Sequence, residues 1–342
     1  MKKTLGFLFA FVVAFSAIVP AYAEQQNTQA EKIIVSLSTI ESIMTTYNLD
    51  VQKAVNDLQT SREDYKLSPQ EKSDKNQYTI AQYNYDETVQ QKIADAKQKY
   101  LAFCADNTQL SACQKAYDAA QKQLTANTKM QQQGYLSQKD YGTSLDNAQK
   151  ATSALQTQNA KVVQEKGALR TLLNIPETSD MEIQPVSDSD LDFSGIPKIN
   201  YGQDVISMRN SNVEISKASL NYSIAKAAGY SSKQDIDNAK IVLDQTGSTQ
   251  EAAFKQLYDT LLNSYQSYQE EALSVQRKTA EVASDKQALA LGYISQKEYD
   301  DGAVDLQNQA SQLDADRNNL YVSYMNYINM KNGYSAAGSA VS

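Results

Sequence analysis

The sequence predicts an all-α protein of long antiparallel coiled-coil helical hairpins in two tandem repeats. Three observations carry that prediction. "GYLSQKDY" at 134–141 returns as "GYISQKEY" at 292–299, 158 positions later, changed only by Leu/Ile and Asp/Glu. After each copy, apolar and small residues recur at alternating spacings of four and three, the spacing of a coiled-coil seam. Only 12 glycines and 5 prolines occur in 342 residues, a composition suited to long helices.

The chain opens MKKTLGFLFAFVVAFSAIVPAYAEQQ. Lys2 and Lys3, an apolar run and the small-x-small Ala21-Tyr22-Ala23 read as a secretory signal peptide over 1–23, cut after Ala23. No cysteine stands at the cleavage point to take a lipid. No later segment approaches the roughly 18 apolar residues a spanning helix requires. The expectation is an exported protein of the cell envelope without a transmembrane helix after cleavage.

The first repeat is read over 24–184 and the second over 199–334, joined by the Pro/Ser/Asp-rich linker 185–198 and followed by a flexible tail, 335–342. Each repeat reads as shorter helix, long helix, shorter helix. In the first these run about 30–66, 69–133 and 137–174, and in the second about 200–228, 232–291 and 295–332. Ser68-Pro69-Gln70-Glu71 starts the first long helix, with Pro69 at its first position and Glu71 closing a capping box. Ser232 and Asp235 start the second in the same manner. Interruptions are expected near Asn84 to Asp86 and at Gly247-Ser248. The two shorter helices of a repeat sum to about the length of the long one, so they stack end to end beside it.

The repeated octapeptide describes a hairpin tip. Gly134 takes the left-handed conformation that closes a helix, where a Cβ would clash. Ser137 caps the next helix, Asp140 reaches back to complete a capping box, and Leu136 and Tyr141 occupy the staple positions. Gly292, Ile294, Ser295, Glu298 and Tyr299 repeat every role. Tyr135 and Tyr293 hold neither cap nor staple positions, which leaves their rings free to anchor a partner. The seam after the first tip runs Tyr141, Leu145, Ala148, Thr152, Leu155, Asn159, Val162, Lys166, Leu169, Leu173. After the second it runs Tyr299, Ala303, Leu306, Ala310, Leu313, Arg317, Leu320, Tyr324, Tyr327. Small and polar members make these seams thin, which fits a layer of helices better than a fat bundle core.

Charge and composition exclude several functions. Cleavage reduces 32 basic residues to 30 against 40 acidic, a net charge of −10, which argues against nucleic acid as a partner. The chain has no histidine, hence no usual general base, no usual zinc ligand and no Ser-His or Cys-His nucleophile. There is no glycine-rich phosphate loop. The expectation is a non-enzyme without cofactor or metal. Cys104 and Cys113 are close in an exported chain, which favours a disulfide if the helix breaks at Asp106-Asn107-Thr108. A helix running straight through would hold their Cα atoms about 13 Å apart and leave two free thiols. Asp300, Asp301 and Asp305 lie just past the second tip. They read either as acids favouring a helix N-terminus or as a negative constriction in an oligomer.

Taken together, these features resemble the TolC-like outer-membrane efflux protein family. The likeness rests on the signal peptide, the duplication and the helix end Leu172-Leu173-Asn174-Ile175-Pro176. It rests further on "NLDVQKAVNDLQ" at 48–59 and on the Gly-aromatic-[Leu/Ile]-Ser-x-x-acid turn once per repeat. The resemblance implies a protomer of a twelve-helix α-barrel built by three copies. The tips at 134–141 and 292–299 would meet the hairpins of a periplasmic adaptor protein serving an ABC or other inner-membrane transporter. Acids near the tips would narrow the pore. The family inserts two β-strands per repeat, which here would fall near 65–71 and 229–236. KLSPQEKSDKNQ at 66–77 lacks the alternation of a membrane strand. The expectation is therefore a TolC-like α-barrel protomer without the β-barrel strands, in an envelope lacking a conventional outer membrane. The alternative is an exported coiled-coil scaffold or spacer without transport activity.

Overall fold

The computed structural model describes residues 32–187, 190–228 and 231–334. The signal peptide, the tail 335–342, Gly229 and Tyr230 lie outside the described residues. In chain order the elements are β1 (Lys32–Val35), α1 (Ile40–Tyr47), α2 (Leu49–Leu67), α3 (Lys72–Gln132), α4 (Gln138–Leu173), β2 (Asp180–Ile183), α5 (Tyr201–Ser211), α6 (Val213–Ala227), α7 (Lys233–Ala290) and α8 (Gln296–Lys331). A short 3-10 helix, Ile196–Lys198, precedes α5.

The two long helices set the frame. α3 has 61 residues and so extends about 90 Å. α2 and α4 lie along one side of it, α6 and α8 along the other, and α7 packs on the far side of α6 and α8. The result is a layer four helices wide, whose open edges are α2 with α4 and α7. As the lengths demand, the shorter helices meet end to end. Asn48 beside α2 donates its side-chain amide to Leu172 O of α4 at 2.7 Å, and Val213 N of α6 donates to Gly333 O beyond α8 at 2.9 Å.

Several expectations are corrected. The shorter leading helices are each broken once, at Asn48 and Asn212. Both asparagines take extended backbone and cap the following helix, accepting from Val51 N and Ile215 N. A capping side chain outweighs one lost helical bond, so the chain kinks without losing helicity. The long helices are not interrupted: α3 passes through Asn84 to Asp86 and α7 through Gly247-Ser248. α3 begins at Lys72 with Glu71 as its cap, while Ser68 ends α2 and Gln70 turns the chain at φ 59°. Because α3 also runs unbroken through 104–113, the disulfide does not form. Cys104 and Cys113 are free thiols about 13 Å apart along one helix.

Two short strands were not expected. β1 and β2 pair in parallel, with Lys32 opposite Asp180 and Val35 opposite Ile183. They close over the middle of the layer, where most of the burial is concentrated. Val35, Ile40 and Met44 pack on Ile93, Tyr100 and Leu101 of α3 and on Leu169 and Leu173 of α4. A second cluster joins Met208, Phe254, Leu261, Leu320 and Tyr327. The linker is not free-standing, since Leu191 and Ile196 are buried, one in each cluster. Toward the tips the seams thin as expected: beyond Ala112, α3 buries no residue, and α8 buries only Gly302 and Ser311 before Asn318.

Candidate functional site

The tips lie at one end of the layer, and each is built by its own sequence. At the first, Gly134 has φ 79° and Tyr135 N donates back to Met130 O at 2.8 Å, the bond that closes a Schellman turn. Ser137 Oγ then accepts from Asp140 N at 3.1 Å, and its hydroxyl donates to Asp140 Oδ2 at 2.7 Å. At the second, Gly292 has φ 77° and Tyr293 N donates to Ala288 O at 2.9 Å. Here the capping box is complete. Glu298 N donates to Ser295 Oγ at 3.2 Å, and Ser295 N donates to Glu298 Oε2 at 2.7 Å. The backbone bond from Ser295 holds the Glu298 carboxyl below its ordinary pKa, with the Ser295 hydroxyl adding to the effect. At the first tip Asp140 is held by the Ser137 hydroxyl instead, although at the start of α7 an acid of the same length, Asp235, reaches the Ser232 N–H at 2.9 Å.

Capping leaves one aromatic ring per tip with nothing to do. Tyr135 and Tyr293 are 77% and 79% exposed, the largest exposed rings among the described residues. Leu136 with Tyr141, and Ile294 with Tyr299, are half-buried, as staple positions require. The two tips thus present matched, pre-organised turns with a projecting tyrosine each.

Behind the tips the hairpins part into a groove of about 630 Å³ between α3 and α8. Asp300, Asp301, Val304 and Asp305 line one wall and Ala116, Ala119 and Ala120 the other, with Lys122 at its side. Asp300 accepts from Gln296 Nε2 at 2.9 Å, and Asp301 pairs with Lys297. The three acids are therefore brought together, partly compensated, in the groove next to the second tip. Among the described residues no group of three or more His, Cys, Asp or Glu side chains is placed to hold a metal.

Sequence reasoning missed one set of residues. Apolar side chains stand exposed along both open edges: Leu49 and Val55 on α2, Leu145 and Val163 on α4, and Ile241, Val242, Leu262 and Leu273 on α7. Away from those edges, α3, α6 and α8 show one such residue, Met130, and α5 shows Ile206. Leu145, a seam position by its spacing, faces outward. Only the order of helices across the layer reveals which apolar positions lack a neighbour.

No family model matches the sequence, and no curated protein does. Solved structures do match. The Campylobacter jejuni CmeC outer membrane channel superposes with a TM-score of 0.66 at 11% identity, over 89% of this chain and 87% of that one. The outer membrane protein VceC of Vibrio cholerae gives 0.63 at 9% identity, over 87% of this chain and 96% of that one. The chain has a TolC-like fold. A membrane protein from Pseudomonas aeruginosa extends the same likeness to 94% of this chain and 98% of its own, with a TM-score of 0.63 at 12% identity. Where this TolC-like chain was expected to lack membrane strands, residues 68–71 make a tight capped turn, and β1 and β2 are the strands among the described residues. No described helix is long and apolar enough to cross a membrane.

Proposed function

We propose that the protein is an exported, non-enzymatic TolC-like component of an efflux or secretion system. Three copies close head to tail into a helical conduit, and the two tips dock a periplasmic adaptor protein serving an ABC or other inner-membrane transporter. The observation that carries this reading is the distribution of unpartnered apolar side chains. They stand on two different edges of one layer, α2/α4 and α7, while the inner helices carry almost none. Two unlike, mutually available edges make a heterologous contact, which closes into a ring when the rotation permits. Three layers four helices wide give twelve helix columns. In such a ring Asp300, Asp301 and Asp305 would recur three times at one end and make that mouth of the lumen strongly negative.

The docking half of the proposal rests on Tyr135 and Tyr293. Replacing both by alanine removes no cap, staple or buried contact, so the helical signal should be unchanged. A photo-reactive side chain placed at 135 or 293 should cross-link in cells to a protein with a long coiled-coil hairpin of its own. The alanine pair should weaken that partner's retention and any export that depends on it. Retention unchanged in a folded double variant would make the tips structural turns and leave an envelope scaffold as the better reading.

A further inference from the structure

The duplication places two hairpin seams in the same register, which allows one position to be compared between them. In the second repeat Ser264 of α7 meets Ser323 of α8, their hydroxyls 3.1 Å apart. The residues 158 positions earlier are Asp106 of α3 and Glu165 of α4. Where one hairpin closes with two groups that each carry a proton, the other closes with two that, ionised, only accept. Asp106 finds donors: Lys161 Nζ at 2.6 Å and Gln158 Nε2 at 3.1 Å both reach its Oδ1. Glu165 Oε2 is buried and receives none. A buried carboxylate oxygen without a donor, set against a second carboxyl, is costly in any state but the protonated one.

We propose that Asp106 and Glu165 form a proton-sharing latch across the first hairpin, in which one proton held between the carboxyls joins α3 to α4 and its release to solvent loosens them. The Ser264–Ser323 bond is the proton-independent version of the same closure, so the latch belongs to one tip only. The charges acting on the pair come from its own helices, Lys161 on α4 and Lys99 on α3. Arg317 of α8, packed on the other side of α3, lies beside Cys104 instead. α1, which packs on α4, carries one charged residue, the exposed Glu41. Burial, then Asp106, push the Glu165 carboxyl up to about 7. Burial also opposes ionisation of Asp106, but hydrogen bonds led by Lys161 outweigh it and hold that carboxyl below its ordinary value. The proton therefore resides on Glu165. An acid whose folded pKa is raised stabilises the fold fully below its unfolded value, near 4.5, and loses that contribution as pH rises to about 7.

Hydrogen exchange of the full mature chain, corrected for intrinsic rates, tests this. Opening of the α4 segment 158–169 should rise by up to about tenfold per pH unit between roughly pH 5 and 7 and level off above. The matching α8 segment, 316–327, should stay flat over the same range. Glu165→Gln supplies a permanent N–H donor and should hold the α4 segment at its low-pH protection at every pH. Asp106→Ser with Glu165→Ser copies the second hairpin and should also be flat, which keeps a readout if the first variant folds poorly. A flat wild-type profile would overturn the latch. So would an equal response in α8, or a pH response that survives Glu165→Gln.

Discussion

Asn48 is the joint at which α2, α4 and the mid-layer core meet, and its side chain serves all three. It is 5% exposed, its Oδ1 accepts from Val51 N at 3.0 Å to cap α2, and its Nδ2 donates to Leu172 O at 2.7 Å. Asn48→Ala removes the cap, about 1 kcal/mol. It also leaves the part-buried Leu172 carbonyl without its donor, at most about 1–3 kcal/mol more. The expected loss is about 2–4 kcal/mol. Ser137→Ala at the exposed first tip removes a cap and nothing else, and should cost about 1 kcal/mol. Asn48→Asp separates the two contributions: it keeps the capping acceptor but turns an acceptor toward Leu172 O, so it should recover the cap and little more. Urea unfolding at one fixed chain concentration, followed by circular dichroism, measures all three, provided m is unchanged. If Asn48→Asp matches the wild type, or if Asn48→Ala costs no more than Ser137→Ala, the joint contributes nothing beyond a cap.

Other consequences can be checked in the same preparations. Gly134→Ala meets open space and pays only for its left-handed backbone, about 1–2 kcal/mol. Gly333→Ala should cost more, because at φ 106° its Cβ would overlap the Ser211 backbone carbonyl at the end of α5 and push apart the junction of α5 and α6 with α8. Trapping thiols before denaturation should count two free cysteines, and a 104–113 cross-linked peptide would contradict an unbroken α3. Burial raises the Cys104 thiol to about 11, so at pH 8 the folded chain should react slowly there and quickly once unfolded.

The tips were legible because their chemistry is local: a glycine at positive φ, a serine cap and an acid three residues on need no distant partner. The Asn48 and Asn212 breaks carried a comparable signal, an Asn before a helix start, but the segments around them keep helical composition and hide a one-residue kink. β1 and β2 were missed for a different reason. Ile33-Ile34-Val35 is a β-branched run, yet it becomes a strand only because residues 180–183 return beside it. At Asp106-Asn107-Thr108 weak helix propensity pointed to a break. A few tenths of a kcal/mol per residue cannot prevail over a helix anchored by buried Tyr100, Leu101 and Phe103. The open edges were illegible altogether, since an apolar residue on a helix does not announce whether a neighbour covers it.

Head-to-tail closure is tested most directly by lysine cross-linking of the mature chain, read by mass spectrometry beside a sedimentation measurement of copy number. Three copies closed edge to edge should sediment as a trimer. Their intermolecular cross-links should join the α2/α4 edge to the α7 edge, for example Lys150 to Lys286 near the tips and Lys53 to Lys255 at mid-layer. Leu262→Lys with Leu273→Lys, which places charge on exposed apolar positions of α7, should return the protein to helical monomers and abolish those links. A wild-type monomer, or an oligomer whose cross-links join α4 to α4, would contradict the conduit.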